Sequence, residues 1–229
     1  MTTLSNKTIV LTGATDGIGL ALAKKLSVNN RLIIIARSKD KLKRHFEDVT
    51  NVQSFVADLS SMKQVSAVIE EVLARVEKLD LLIHNASCVS SDRIVTHEGN
   101  ELQLAVDYLA PVLITEKAKQ RLSLSKGEVL FVNSRAHKRV KFDLSDPQLE
   151  DNYDLSKAYN RSKLYLILYA QKLAKDLKDR KVRVNSIHPG LVNTTMGEKN
   201  CNRFHQIAWK IMKQLGRSPE TAAQNIFRL

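Results

Sequence analysis

The chain carries 229 residues, 43% of them hydrophobic and 5% aromatic, with a formal net charge of +12. That is ample apolar material for one large core, and no Pro-, Gly- or Ser-rich linker divides it, so residues 1–229 read as a single domain. Lys and Arg are scattered and aromatics are few, which argues against a stacking platform for nucleic acid and for a generally basic, solvated surface.

Met1–Lys7 lacks the basic-then-apolar design of a secretory signal, and no later apolar run is long enough to span a bilayer, so a cytoplasmic protein is expected. The first predicted strand, Thr8–Leu11, runs into Thr12-Gly13-Ala14-Thr15-Asp16-Gly17-Ile18-Gly19 and a helix over Gly17–Ser27. Gly13 permits a tight turn, Gly17 leaves room for a ligand beside the main chain, and Gly19 lets helix and strand approach. The free N–H groups and dipole of the helix start then make an anion site. The spacing G-x-x-x-G-x-G differs from the commonest dinucleotide fingerprint, and glycine-rich turns also arise for packing alone. The second strand, Arg31–Ala36, ends at Arg37-Ser38, where a NAD site of this type places an acidic residue. A guanidinium there suits a 2′-phosphate through paired hydrogen bonds and favours NADP(H) over NAD(H); the alternative is one more surface cation.

Strands Val52–Ala57, Leu79–His84, Glu128–Asn133 and Arg183–Ile187 follow, alternating with helices Ser61–Glu77, Glu98–Leu124 and Ser156–Asp179. Runs such as Leu32-Ile33-Ile34-Ile35 fit strands buried on both faces. The alternation predicts an α/β fold, a doubly wound parallel sheet of the Rossmann type with helices on both sides. Cys88 and Cys201 form neither a disulfide framework nor a metal pair, and the histidines lack ligand spacing, so no metal is expected. Tyr159 and Lys163 stand i and i+4 on the helix Ser156–Asp179 and share a face. An ammonium beside a phenol favours phenolate and lowers a pKa ordinarily near ~10, making tyrosine a usable acid or base. Taken alone, that spacing is common by chance and is usually a surface helix pair. Residues 195–216 predict a helical cover whose apolar residues, Phe204, Ile207, Trp209, Ile211 and Met212, suit either a hydrophobic substrate or packing on the core. Lys199, Arg203, Lys210, Lys213 and Arg217 make it basic and amphipathic, compatible with weak docking on anionic membrane. Ser218-Pro219-Glu220 opens a last helix that reaches Phe227-Arg228-Leu229 without an ending signal.

Several of these stretches fall in a familiar order. They are Thr12-Gly13…Gly17-Ile18-Gly19, Asp58-Leu59-Ser60, His84-Asn85-Ala86-Ser87, Asn133-Ser134-Arg135-Ala136-His137, Ala158-Tyr159…Ser162-Lys163-Leu164 and His188-Pro189-Gly190-Leu191-Val192-Asn193-Thr194. Together they resemble, over essentially the whole chain, the short-chain dehydrogenases/reductases of the retinol-dehydrogenase-like branch. Phe142-Asp143-Leu144 and Tyr153 are also typical of that branch.

The resemblance implies a hydride-transferring oxidoreductase acting on a small-molecule carbonyl or alcohol, small or lipophilic. It implies that Tyr159 exchanges the proton with the substrate oxygen, that Ser134 donates a hydrogen bond to it, and that Lys163 lowers the tyrosine pKa and bonds the nicotinamide ribose. The turn residues Gly13, Thr15, Asp16, Gly17, Ile18 and Gly19 would then hold phosphates. Asp58 and Leu59 would lie at the adenine, and Asn85 and Ala86 on the adenosine side. Pro189, Gly190 and Val192 would frame the nicotinamide, with Thr194 near its carboxamide or the phosphates. A homo-oligomer paired through the fourth and fifth helices is common in the family; the residues leave the state open.

Three departures stand out. Asp107 occupies the position where the family carries an Asn whose main-chain carbonyl holds a water beside the lysine. It is kept as a relay member, and its carboxylate could pair with Lys163 and weaken its hold on the tyrosine. His84 and Ser87 replace the family's Asn and Gly and read as tolerated variation, and Cys88 reads as a structural thiol. Family members also continue into one more strand, so the sequence is either a shortened form or naturally abbreviated. The rival reading is a dinucleotide-binding protein of the same fold without turnover.

Overall fold

The computed structural model describes residues 4–227; Met1–Thr3 and Arg228-Leu229, which figure in the readings of the two termini, lie outside the described residues. The strands are β1 (Thr8–Thr12), β2 (Arg31–Ala36), β3 (Val52–Val56), β4 (Leu81–His84), β5 (Glu128–Val132) and β6 (Arg183–Ile187). The helices are α1 (Gly17–Leu26), α2 (Lys39–Phe46), α3 (Met62–Ala74), α4 (Leu102–Leu104), α5 (Ala110–Ser125), α6 (Leu155–Asp176), α7 (Arg203–Met212) and α8 (Pro219–Phe227). The strands form one sheet in the order β3-β2-β1-β4-β5-β6, every pairing parallel. Strand order reverses between β1 and β4, and in such sheets the crevice beyond the carboxyl ends there is where ligands bind.

The unbroken apolar runs serve two cores at once, because successive strand residues point to opposite faces. Ile9, Leu11, Leu32 and Ile34 pack with Leu22 and Leu26 of α1, Leu42 and Phe46 of α2, and Ile226 of α8. Val10, Ile33 and Ile35 pack with Val65 and Ile69 of α3, Ile114 and Leu122 of α5, and Leu166 and Leu173 of α6. The expected doubly wound sheet is the one observed.

Three details differ from expectation. Helix α2 was not foreseen: its sequence offers only Leu42 and Phe46 as buried residues, although Ser38 caps it by accepting from Lys41 N. The predicted helix over Glu98–Leu124 starts later, because Glu98 turns away to accept from Met62 N and Lys63 N at the head of α3. Glu101 then caps α4, and between α4 and α5 the helix widens into a π-turn over Ala105–Leu109. The cover segment is helical, but its stripe does not join the core. Phe204, Ile207, Ile211 and Met212 face solvent, and Trp209 is the half-buried member. Among the described residues no helix is long and apolar enough to cross a membrane.

Candidate active site

The glycine turn is locked to the end of β4. Thr12 Oγ1 accepts from Asn85 N at 3.1 Å and from Ala86 N at 3.2 Å, while Asn85 Nδ2 donates back to Thr12 O and Gly13 O. Gly13 sits at φ +71°, and a Cβ there would fall 2.7 Å from Ala86 Cα, so the position admits no side chain. Gly17, at φ +48°, faces Thr194. A Cβ on Gly19 would strike Gly13 O and Asn85 Nδ2, so this glycine lets the helix close onto its strand as expected.

Asp16 opens α1 by accepting from Gly17 N, and its other oxygen gathers Thr195 Oγ1 at 2.8 Å, Lys199 Nζ at 3.1 Å and Lys41 Nζ at 3.3 Å. Burial pushes this carboxyl up, but the threonine hydroxyl and the two ammonium groups outweigh it and hold the pKa at about 2. Thr15 and Ile18 line the same turn, half-buried. Arg37 stands exposed just past β2, without an ion-pair partner among the described residues.

The second cluster lies where β4, β5, the π-turn and α6 meet. Asp107, on the π-turn, pairs with Lys163 Nζ at 3.2 Å, and their side chains are 0% and 2% exposed. The same carboxylate accepts from Ser87 Oγ at 2.7 Å and Cys88 N at 3.0 Å. Inserted π-turns widen a helix by one residue and recur at functional sites; here the turn carries the side chain paired with the lysine. Lys163 Nζ lies 5.5 Å from the ring centre of Tyr159, one helical turn away on α6. Ser134 follows β5, where its hydroxyl oxygen accepts from Ala136 N at 3.2 Å and leaves its own proton free of that bond. Asn133 anchors this corner: its Oδ1 accepts from Ser134 N, and its Nδ2 donates to Lys163 O and Ser186 Oγ.

Burial raises the Tyr159 phenol and the Asp107 charge adds to that, whereas Lys163 and the hydroxyls of Ser134 and Ser87 pull down without overcoming it. The expectation that lysine brings the phenol down therefore holds for the lysine's own contribution, while the net direction is upward. Burial alone disfavours the Lys163 ammonium, yet Asp107 and Tyr159 outweigh it and the pKa rises. Burial, then Asp107 and Glu101, push the Cys88 thiol well up, which marks it as unreactive.

The remaining predicted residues have local roles. Asp58 closes a turn by accepting from Ser60 N and Ser60 Oγ, and Leu59 belongs to the core. Val192 is buried and bridges to Arg217. Gly190, at φ +86° beside Pro189, faces open space. His84 is buried and stacked on Phe131, with ring centres 5.0 Å apart. Thr115 Oγ1 donates to Pro111 O and so accepts from His84 Nε2; burial holds this imidazole neutral, with its pKa near 3. Sequence reasoning missed Ser87, Asn133, Lys41, Thr195 and Lys199 as members of these clusters. Tyr153 was noted only as a branch marker; its hydroxyl donates to Ser90 O and accepts from Gln103 Nε2, tying the stretch after Ser134 to the loop after β4. Among the described residues no group of three or more His, Cys, Asp and Glu side chains is placed to hold a metal ion.

A family model described as short chain dehydrogenase matches residues 7–203. Retinol dehydrogenase 13 of Homo sapiens is 29% identical over 97% of this chain and 71% of its own length. Retinol dehydrogenase 12 of Homo sapiens is 34% identical over 84% of this chain and 64% of its own. Among solved structures, a metagenomic short-chain oxidoreductase in complex with NADP superposes with a TM-score of 0.70 at 24% identity, covering 98% of this chain and 90% of that one. At that identity the structural likeness speaks for the fold.

Proposed function

The chain belongs to the short-chain dehydrogenase/reductase family, in its retinol-dehydrogenase-like branch, and on that premise we propose an NADP(H)-dependent reductase of a small or lipophilic carbonyl compound, reversible as an alcohol dehydrogenase. The single observation that carries the reading is the meeting of Tyr159, Lys163 and Asp107 in one half-enclosed cluster with Ser134 and Ser87 acting on the same phenol. The names of the relatives support a lipophilic substrate.

The turn fits a phosphate-bearing dinucleotide. Gly13 and Gly17 hold backbone conformations that side chains resist, α1 begins there, and the Asp16 charge beside it is already met by Lys41 and Lys199. Thr15, Ile18 and Gly19 would complete the phosphate cradle, and the unpaired Arg37 guanidinium would take a 2′-phosphate. Asp58, Leu59, Asn85 and Ala86 would lie along the adenosine half. Pro189, the open Cα of Gly190, Val192 and Thr194 would frame the other end. When bound, this cofactor supplies or takes up the hydride.

The chain's own residues handle the proton. Ser134 offers its hydroxyl proton to the substrate oxygen, and Tyr159 transfers its phenolic proton to that oxygen in reduction and recovers it in oxidation. A phenol held above its ordinary range stays protonated at neutral pH, which suits it to act as the acid. Lys163 stabilises the phenolate left behind, and Asp107 fixes the ammonium in place while sharing its charge. Asp107 is thus a relay member that also restrains the lysine.

NADPH oxidation measured against aldehydes, ketones and quinones tests the proposal. Turnover with at least one class, lost by about a hundredfold or more in Tyr159→Phe, is the expected result. NADPH binding without turnover on any class would instead favour the non-catalytic rival.

A further inference from the structure

Helix α7 presents its apolar side to water. Phe204, Ile207, Ile211 and Leu215 follow one another three or four residues apart along α7 and the turn after it, and they are 76, 58, 65 and 84% exposed. Such spacing lines up one helical face. The opposite face fixes the helix to the body: Trp209 Nε1 donates to Thr194 O at 2.8 Å and Lys213 pairs with Glu198 at 2.6 Å. The Trp209 ring lies over Gly197, where a Cβ would collide with it. The apolar face is therefore held outward by anchored inward residues.

Charge identifies what fits it. Residues 199–217 hold Lys199, Arg203, Lys210, Lys213 and Arg217 and no Asp or Glu. Arg203 and Lys210 border the apolar face, and neither pairs with an acid among the described residues. A second copy meeting this face would bring cations against cations on a chain of net charge +12. We infer that α7 is a docking helix for an anionic phospholipid bilayer, with Phe204, Ile207, Ile211 and Leu215 entering the headgroup boundary and Arg203 and Lys210 on the headgroups. This inference does not depend on the reductase reading.

The test is sedimentation of the whole chain with phosphatidylcholine vesicles, with and without about 30% phosphatidylserine. Binding to the anionic vesicles alone, weakened by salt, is expected. Arg203→Gln with Lys210→Gln lowers the partition about thirtyfold, and Phe204→Ser with Ile211→Ser abolishes it. All four side chains are exposed, so the fold survives, which circular dichroism verifies. Three outcomes overturn the inference: no binding to anionic vesicles, equal binding to neutral ones, or a concentration-dependent dimer in solution that Phe204→Ser with Ile211→Ser dissolves. NADPH turnover in solution is read separately.

Discussion

Asp16 and Asp107 each accept hydrogen bonds and face lysine ammonium groups, yet they sit in different media. Asp16 is 39% exposed at the glycine turn, and Lys41 and Lys199, which contact it, are 38% and 51% exposed. Asp107 and Lys163 are 0% and 2% exposed, on the π-turn and α6. Solvent makes the first cluster adjustable and of modest worth, whereas burial makes the second one costly to break and able to act on its neighbour Tyr159. The chain thus puts a soft ionic joint between glycine turn and cover segment, and a hard one beside the phenol.

Breaking the hard joint has the largest expected effect. Asp107→Ala leaves Lys163 buried without a counter-charge and Ser87 Oγ and Cys88 N without their acceptor, and urea unfolding should show a loss of about 3–5 kcal/mol. A loss below about 1 kcal/mol would mean that water reaches the lysine and that the two joints do not differ as argued.

Arg37→Ala comes next. An unpaired guanidinium meeting a 2′-phosphate contributes about 1.5–3 kcal/mol, so NADPH binding, followed by fluorescence titration, should weaken at least tenfold with NADH little changed. Equal losses for both cofactors would remove the phosphate role.

Asp16→Asn is the mildest change. A carboxyl held below its unfolded value stabilises the fold where it is ionised, and that contribution disappears as pH falls through the folded pKa. Asp16 is held at about 2 against an ordinary 3.8, so its stabilisation is present above about pH 4 and fades toward pH 2. With solvent screening the contribution is about 1 kcal/mol. The variant should be less stable than the parent at neutral pH by that amount and converge with it in acid. A constant difference down to pH ~2 would assign the effect to something other than ionisation.

Much of this is legible in the sequence. The glycine turn, the Tyr159–Lys163 face and the doubly buried strands β1, β2, β4 and β5 follow from spacing alone, because period and turn chemistry are local; the edge strands β3 and β6 are largely half-buried or exposed. That the Asp107 carboxylate could pair with Lys163 was raised by a departure from the family pattern, not by spacing. What stayed hidden is non-local or small. Lys41, Thr195 and Lys199 meet Asp16 from 25, 179 and 183 residues away. The π-turn has no propensity signature, since Ala105–Leu109 reads as ordinary helix. Ser87 and Asp107 look like two unrelated departures from the family pattern until the fold places the hydroxyl of one 2.7 Å from the carboxylate of the other. Helix α2 buries only Leu42 and Phe46, too few to set a helical period in the sequence.

The most direct test is the pH dependence of alcohol oxidation in the parent and in Asp107→Asn. The Asp107 charge is one of the influences raising the Tyr159 phenol, while Lys163 lowers it. Removing that charge and keeping the side-chain shape should move the rising limb of kcat to lower pH. A limb that stays in place, or moves to higher pH, would contradict the claim that Tyr159 is the group exchanging the proton under Asp107's influence.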